Sequence, residues 1–439
     1  MRRILEAALR AVEPGAAVRC WMSRQDDTLT VAGREYLLHH YRRVLIVGIG
    51  KAAVPMGAAT AEILGTHFSK GIILTKEGYG KNLTGLKDLS GLIILEAGHP
   101  IPDGRGVRGA QLITELLTGA GEDDLVICLI SGGGSALMLS PAEGITLADL
   151  QALTSILLVC GATINEINIL RKHLELLKGG GLTRLTAPAT LVTLVLSDVV
   201  DDPLDVIASG PTVPDPSTFA DAYGVLERHG IADKVPTSVS NRLRRGLCGD
   251  IPDTPKPGDS LFKRVHNVIV GSNRLAIEAA LEQAQMEGFH ALLLTTSLQG
   301  EARQAGHMLG AIARKIVASG KPLPRPACIL AGGETVVTIQ GKGLGGRNQE
   351  LALGAVEVLA GLEGVVLVTL ATDGGDGPTD AAGAVVTGET QERARRLGLS
   401  PADHLARNDA YHFFDPLGDL LKPGPTQTNV NDLTFLFVG

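Results

Sequence analysis

An α/β protein of two layered domains is predicted, because short aliphatic runs ending in Gly, Ser, Thr or Asp recur along the chain, and a helix-compatible stretch usually follows each one. Length supports the division, since 439 residues exceed one ordinary core. Composition supports the layering: apolar residues make up 44% but aromatics only 3%, and 55 glycines supply tight turns between aliphatic strands.

Along the chain, MRRILEAALRAVEPG carries Glu6, Arg10 and Glu13 through what would be the apolar part of a signal peptide, and so predicts an amphipathic helix. Strands are predicted at VLIVGIG (44–50), LVICLISGGG (125–134), LVTLVLSD (191–198), NVIVGSN (267–273), ALLLTTS (291–297), CILAGGE (328–334), VVLVTLATDGGDG (365–377) and the closing LTFLFVG. Their apolar residues are continuous rather than alternating, the pattern of strands buried on both faces in parallel sheets with helices on each side. Ligands in such sheets bind beyond the carboxyl ends of the strands, where the small and polar residues fall. The Pro- and Gly-rich segment CGDIPDTPKPGDS (248–260) reads as a linker, which divides the chain into domains at 1–245 and 262–439.

The formal charge of −7, with no lysine-rich tail and no aromatics interleaved with a basic run, argues against nucleic acid as a partner. No apolar stretch reaches the length of a membrane span. Five scattered cysteines without a C-x-x-C pair read as small buried hydrophobes in a reducing compartment, so a cytoplasmic location is expected.

Several loops could carry chemistry. Ser131, Gly132, Gly133, Gly134 and Ser135 follow a buried strand and can converge backbone N–H groups on a phosphate or carboxylate, or simply form a glycine turn. GIGKAA (48–53) lacks the third glycine of a dinucleotide fingerprint, since Ala53 stands there, but Lys51 is a lone cation at a strand end, either solvated or aimed at an anion. Arg171 and Lys178 are seven residues apart and would share one helix face before Gly179, serving either the helix dipole or an anion site. Asp198 ends a strand where a magnesium anchor would be needed. In the second domain Glu334 follows a strand, Arg347 leaves the glycine-rich turn GKGLGGR, and TDGGDGPTD supplies Asp373 and Asp376. GPTQTNVNDL (424–433) gathers hydroxyls, amides and a carboxylate, including Asn429, Asn431 and Asp432, as a plain turn or as the lining of a hydroxy-acid pocket.

In this order the motifs LISGGGSAL, SDVV with IASGPTVPDPST, GGET with GGRNQEL, TDGGDGPTDAAGA and GPTQTNVNDL closely resemble the class II glycerate kinases, whose carboxy-terminal part is the MOFRL domain. The resemblance spans nearly the whole chain. It implies a Rossmann-like amino-terminal domain, a smaller carboxy-terminal α/β domain, and an active site in the cleft between them. It further implies ATP as co-substrate, Mg²⁺, and D-glycerate phosphorylated at the 2-hydroxyl.

Lys51 and Arg347 match the lysine and arginine that the family presents to the cleft. Asp198 and Asp373 follow as catalytic and metal-binding carboxylates. The nucleotide phosphates are expected on Ser131–Ser135 and Lys178, and the substrate on Arg171, Glu334, Asn429, Asn431 and Asp432. The chain departs from the family's pattern at Glu175, Gly181, Asp201 and Gln427. A homodimer, the 2- or 3-phosphoglycerate product and the nucleotide preference are left open by the residues. The rival readings are an NAD(P)H-dependent hydroxypyruvate reductase and a non-catalytic sugar-acid-binding protein.

Overall fold

Contacts divide the computed structural model, which describes residues 1–80 and 91–439, into two units. The first comprises Pro14–Ser197 and Asp202–Val270, and the second joins Met1–Glu13, Asp198–Asp201 and Gly271–Gly439.

The first unit begins with an antiparallel meander of β1 (Met22–Gln25), β2 (Thr28–Val31) and β3 (Arg34–Leu37). Its main sheet contains β4 (Arg43–Ile49), β5 (Phe68–Lys76), β6 (Leu92–Ala97), β7 (Asp124–Ile130), β8 (Thr190–Leu196) and β9 (Val265–Gly271), in the order β6-β5-β4-β7-β8-β9. Strands β4 to β8 are mutually parallel. This is the doubly wound order of a Rossmann sheet: the chain builds outward from β4 in one direction, then returns to build from β7 in the other. The loops after β4 and β7 therefore lie side by side at the strand-order switch. At the opposite, amino-terminal ends, the buried Asp124 accepts two hydrogen bonds from Arg43, at 2.9 and 2.6 Å, and this pairing holds its carboxyl below the usual carboxylate range.

Helices Leu147–Val159, Ile164–Leu174 and Phe219–Arg228 each start at a threonine whose hydroxyl takes the N–H three residues on, while an acidic residue there reaches back. Their apolar faces, with Thr237–Leu247, meet in one cluster around Leu153, Leu170, Val225 and Leu243.

The sequence groups NVIVGSN with the second domain and reads 248–260 as a linker, but the structure places 248–260 and Asn267–Val270 in the first unit, with the boundary inside NVIVGSN after Val270. NVIVGSN supplies the edge strand beside β8. Within 248–260, Asp253 meets His173 Nε2 at 3.0 Å, and Thr254 donates to Asp215 at 2.9 Å. Prolines made the segment look like a tether, whereas its side chains bind it to the preceding helices.

The second unit holds β10 (His290–Leu298), β11 (Ala327–Gly333), β12 (Val365–Ala371), β13 (Gly383–Thr387), β14 (Leu420–Leu421) and β15 (Asp432–Val438), in the order β10-β11-β15-β12-β13-β14. A wholly parallel sheet was expected, but β15 runs antiparallel to both β11 and β12, as β13 does to β12. All seven residues of β15 are buried, and burial on both faces gives the same apolar run whichever way a strand points. The inversion has a geometric result: Asp432, the first residue of β15, pairs with Gly333 at the end of β11 and Ala371 at the end of β12.

The expected amino-terminal helix is present at Arg2–Ala11 and packs on Asn273–Met286. Among the described residues no helix is long and apolar enough to cross a membrane. Cys128 and Cys328 are buried, as expected, but Cys20 and Cys248 are exposed.

Helices Ala302–Ser319 and Arg347–Leu359 pack closely because their contact is made by glycines. A Cβ on Gly306 would sit 1.9 Å from the Leu351 carbonyl oxygen, and one on Gly354 2.4 Å from that of Arg303. Gly306→Ala should therefore destabilise the second unit by about 1–3 kcal/mol despite the better helix propensity of alanine, read as a lower urea midpoint.

Candidate functional site

Each unit gathers functional side chains of its own. In the first, three segments stack at the strand-order switch. Gly50 has φ +122°, and a Cβ there would lie 2.3 Å from Ser131 Oγ, so glycine is what lets the loop after β4 lie against the loop after β7. Lys51 N–H then donates to the Gly132 carbonyl at 3.0 Å, and Ala52 N–H to Ser131 Oγ at 2.9 Å. Gly133 turns at φ +87°, where a Cβ would come 3.1 Å from the His99 ring and 3.6 Å from Lys51 Cγ. Among the described residues nothing accepts from the N–H of Gly132 or Gly133.

The third segment is Ala208-Ser209-Gly210, all three in left-handed backbone at φ 50°, 60° and 63°. Two of them are not glycine, and such backbone persists only where its surroundings enforce it. Ser209 Oγ donates to Asn168 Oδ1 at 3.0 Å and meets Ser135 Oγ at 2.9 Å, while Gly179 N–H donates to the Ser209 carbonyl at 2.9 Å.

Arg171 and Lys178 do not share a helix face, because the helix ends at Leu174 and Glu175 is already extended. Lys178 sits in the following turn, fully buried, and donates to the Glu175 carboxylate at 2.5 Å and to the Ser135 carbonyl at 2.7 Å. Burial pushes this ammonium down to about 8, against the pull of Glu175. Lys178 thus grips the glycine loop from behind and has no exposed face for a phosphate. Glu175 Oε2 has no hydrogen-bond partner among the described residues. Arg171 is in the last turn of the helix, where burial disfavours its charge and Glu175 supports it. Gly181, another departure from the family's pattern, leaves no room for a side chain: its Cβ would be 1.9 Å from the Leu176 carbonyl oxygen.

In the second unit the inverted β15 brings together residues from three motifs. Arg347 opens the helix Arg347–Leu359 and holds both oxygens of Asp432, with Nη2 3.1 Å from Oδ1, while its Nη1 lies 3.0 Å from Glu334. Burial works against the guanidinium charge, but Asp432 and Glu334 hold its pKa above the usual value. Asp432 is 7% exposed, and burial pushes its carboxyl up against the opposing pull of Arg347. Asp376 accepts the N–H groups of Asn348 and Gln349 at 3.1 and 2.8 Å, and burial pushes it up to about 6. Only glycine fits at 346, since a Cβ there would lie 2.2 Å from the Asp376 carboxyl carbon.

Asn429 and Asn431 shape the turn before β15. Asn429 Oδ1 accepts from Asn431 N–H at 3.2 Å, and Asn431, with φ 66°, gives its carbonyl to Thr372 Oγ1 at 2.7 Å. Asp373 Oδ1 accepts from Gly375 N–H at 3.2 Å. Asp198 belongs to the short segment that clusters with the second unit. Among the described residues no three of His, Cys, Asp and Glu are grouped to hold a metal ion.

Two residues escaped the sequence reading. His99 lies in no motif and is brought to Lys51 and Gly133 by the fold alone. Asn273, inside a strand-to-helix junction, donates to the carbonyls of Val430 and Asp432, both at 2.9 Å, and so fixes the turn before β15. Its signal is a lone amide just past the glycine and serine that end an apolar run.

The model of a family described as a domain of unknown function, DUF4147, matches residues 1–244, and that of the MOFRL family matches residues 327–432. A glycerate 2-kinase of Pyrococcus horikoshii is 43% identical over 437 residues, covering 99% of this chain and 96% of its own. The chain belongs to the glycerate kinase family. A solved member, the glycerate kinase of Thermotoga maritima, superposes with a TM-score of 0.88 at 41% identity, over 100% of this chain and 98% of that one. The family's names are not uniform, for a relative in Agrobacterium vitis, 39% identical over all of this chain and 94% of its own, is named as a hydroxypyruvate reductase. Glycerate kinases are phosphotransferases, and the family's fold is the one described above.

Two outcomes follow from the first unit's geometry. Burial and the ammonium groups of Lys51 and Lys76 push His99 down to about 4 from 6.5. The unfolded chain then takes up the proton first, so stability is complete above about pH 6.5 and falls as the pH drops toward 4. His99→Gln should flatten urea midpoints across that window. Lys178→Ala strands the buried Glu175 carboxylate and should cost about 3–5 kcal/mol, whereas adding Glu175→Gln should recover much of that loss, measured by urea unfolding.

Proposed function

We propose that the protein transfers the γ-phosphoryl group of ATP to the 2-hydroxyl of D-glycerate, giving 2-phospho-D-glycerate and ADP. The observation that carries this reading is the glycine loop after β7, where the unbonded N–H groups of Gly132 and Gly133 lie beside Lys51 at the strand-order switch. Backbone donors that no group among the described residues uses, next to an ammonium, suit an anionic ligand.

Phosphoryl transfer needs positioning and neutralised charge more than covalent help. In this reading the Ser131–Ser135 loop and Lys51 hold one anionic reactant group, and Lys178 keeps the loop in shape. Arg347, its guanidinium plane set by Asp432 and Glu334, meets charge on the other. Asp198 and Asp373 supply hard oxygen donors of the kind Mg²⁺ takes one or two of, alongside phosphate oxygens, and the ion would neutralise the phosphates. Arg171, Glu334, Asn429, Asn431 and Asp432 remain the proposed substrate set, with both asparagines acting through the turn they build. A cytoplasmic location is part of the proposal and suits five cysteines without a disulfide.

Phosphorus NMR of the protein with Mg·ATP and D-glycerate tests the reading. A 2-phosphoglycerate signal supports it, a 3-phosphoglycerate signal moves the transfer to the other hydroxyl, and no phosphorylated glycerate from folded protein overturns it. NADH absorbance with hydroxypyruvate then tests the reductase. Lys51→Ala and Arg347→Ala should each lower kcat/KM by roughly 10²–10³, as loss of one preorganised electrostatic group does. Near-normal kcat/KM in both variants would contradict their assignment.

A further inference from the structure

The second unit contains a cavity of about 560 Å³ between the loop that follows β11 and the start of the helix Arg347–Leu359. We propose that it receives the uncharged half of the nucleotide, base and ribose. The inference rests on the kinase reading for the nucleotide but on this cavity alone for the location.

Size is the first argument. Sites that enclose a ring-bearing organic ligand span about 300–1,000 Å³, and a three-carbon acid would leave most of this space empty.

The second is the wall. Val336 and Ile339, 57% and 79% exposed, line the cavity together with Val337 and Pro378. Exposure of these groups is not a consequence of a loose loop. Asn408 Oδ1 accepts the N–H groups of Gln340 and Gly341 at 2.7 and 2.9 Å, its Nδ2 donates to the Thr338 carbonyl at 3.2 Å, and Thr338 Oγ1 donates to Glu301 at 2.8 Å. The loop is thus held with its apolar side chains presented, the form of a flat aliphatic surface against which a heteroaromatic ring can lie.

Charge is the third. The lining carries Glu334, Glu350 and Asp376 against one cation, Arg347, which Asp432 and Glu334 already neutralise. Glu350 is itself held by Arg303 and Asn408. Away from Arg347, such a floor offers no cation to a phosphate or carboxylate. Its carboxylates are hydrogen-bond acceptors, which match hydroxyl donors such as those of a ribose. A ligand end that is neutral, ring-bearing and rich in hydroxyl donors satisfies wall and floor together.

Titration calorimetry with ADP and with adenosine, on the wild-type chain and on Ile339→Asn and Val336→Asn, tests the site. Both substitutions are neutral and exposed, so circular dichroism should show unchanged melting and the field of the cavity is preserved. The expected result is binding of both probes by the wild type and at least about tenfold weaker binding by each variant, the scale of one lost apolar contact. The KM for ATP should rise likewise while that for D-glycerate holds. Turnover with an unchanged KM for ATP in both variants overturns this site and leaves the kinase reading standing. Absent turnover with binding lost in the variants supports the site and removes the kinase reading. Failure of the wild type to bind either probe overturns the site.

Discussion

Asp432 cannot remain ionised in its buried place at the start of β15 without Arg347, since an unpaired carboxylate at that depth costs several kcal/mol. The pair does more than neutralise a charge. Asp432 is in register with the last residues of β11 and β12, and Arg347 is the first residue of its helix, so one contact fixes where two strands end and one helix begins. The Asp376 cap lies on that same helix, Glu334 meets the same guanidinium, and the turn built by Asn429 and Asn431 leads into the same strand.

The first unit solves its positioning problem in a different way. Among the described residues no charge pair organises the glycine loop from the front; close approach at Gly50 and Gly133 does so, and a buried ammonium holds it from the rear. Strain is accepted nearby, in the left-handed run Ala208-Ser209-Gly210, because Asn168, Ser135 and the turn at Gly179 all bond to Ser209 or its backbone. Both strategies place polar groups at strand ends, which is where an α/β sheet leaves backbone donors free.

Much of this was legible in the residues. Strands β4, β7, β8, β10, β11, β12 and β15 coincide with continuous aliphatic runs, and the polar residues that end them occupy the candidate sites. The meander β1–β3 was not foreseen, nor was the direction of β15, because burial dictates composition while direction is set by connections far away in the chain. The division between units was blurred for a related reason: proline and glycine mark turns, and a turn within a unit resembles a turn between units until its side-chain partners are known. Lys178 was read as a ligand-facing cation because a helix was extended four residues past its end. Two of the departures from the family's pattern, Asp201 and Gln427, have φ 64° and 65°, backbone that glycine adopts more readily, so the chain carries that cost in its loops.

The position of β15 also bears on how the chain is made. It follows in sequence every other strand of its sheet yet lies in the middle, so β11 and β12 have no common neighbour until it emerges from the ribosome. The helix Arg2–Ala11 is in a similar situation, for its packing surface on Asn273–Met286 is synthesised more than 250 residues later. Through that interval Ile4 and Ala8, fully buried in the finished protein, have nowhere to go. The first unit can therefore close around its own sheet during synthesis while the second waits, leaving the apolar face of this helix for a chaperone to cover.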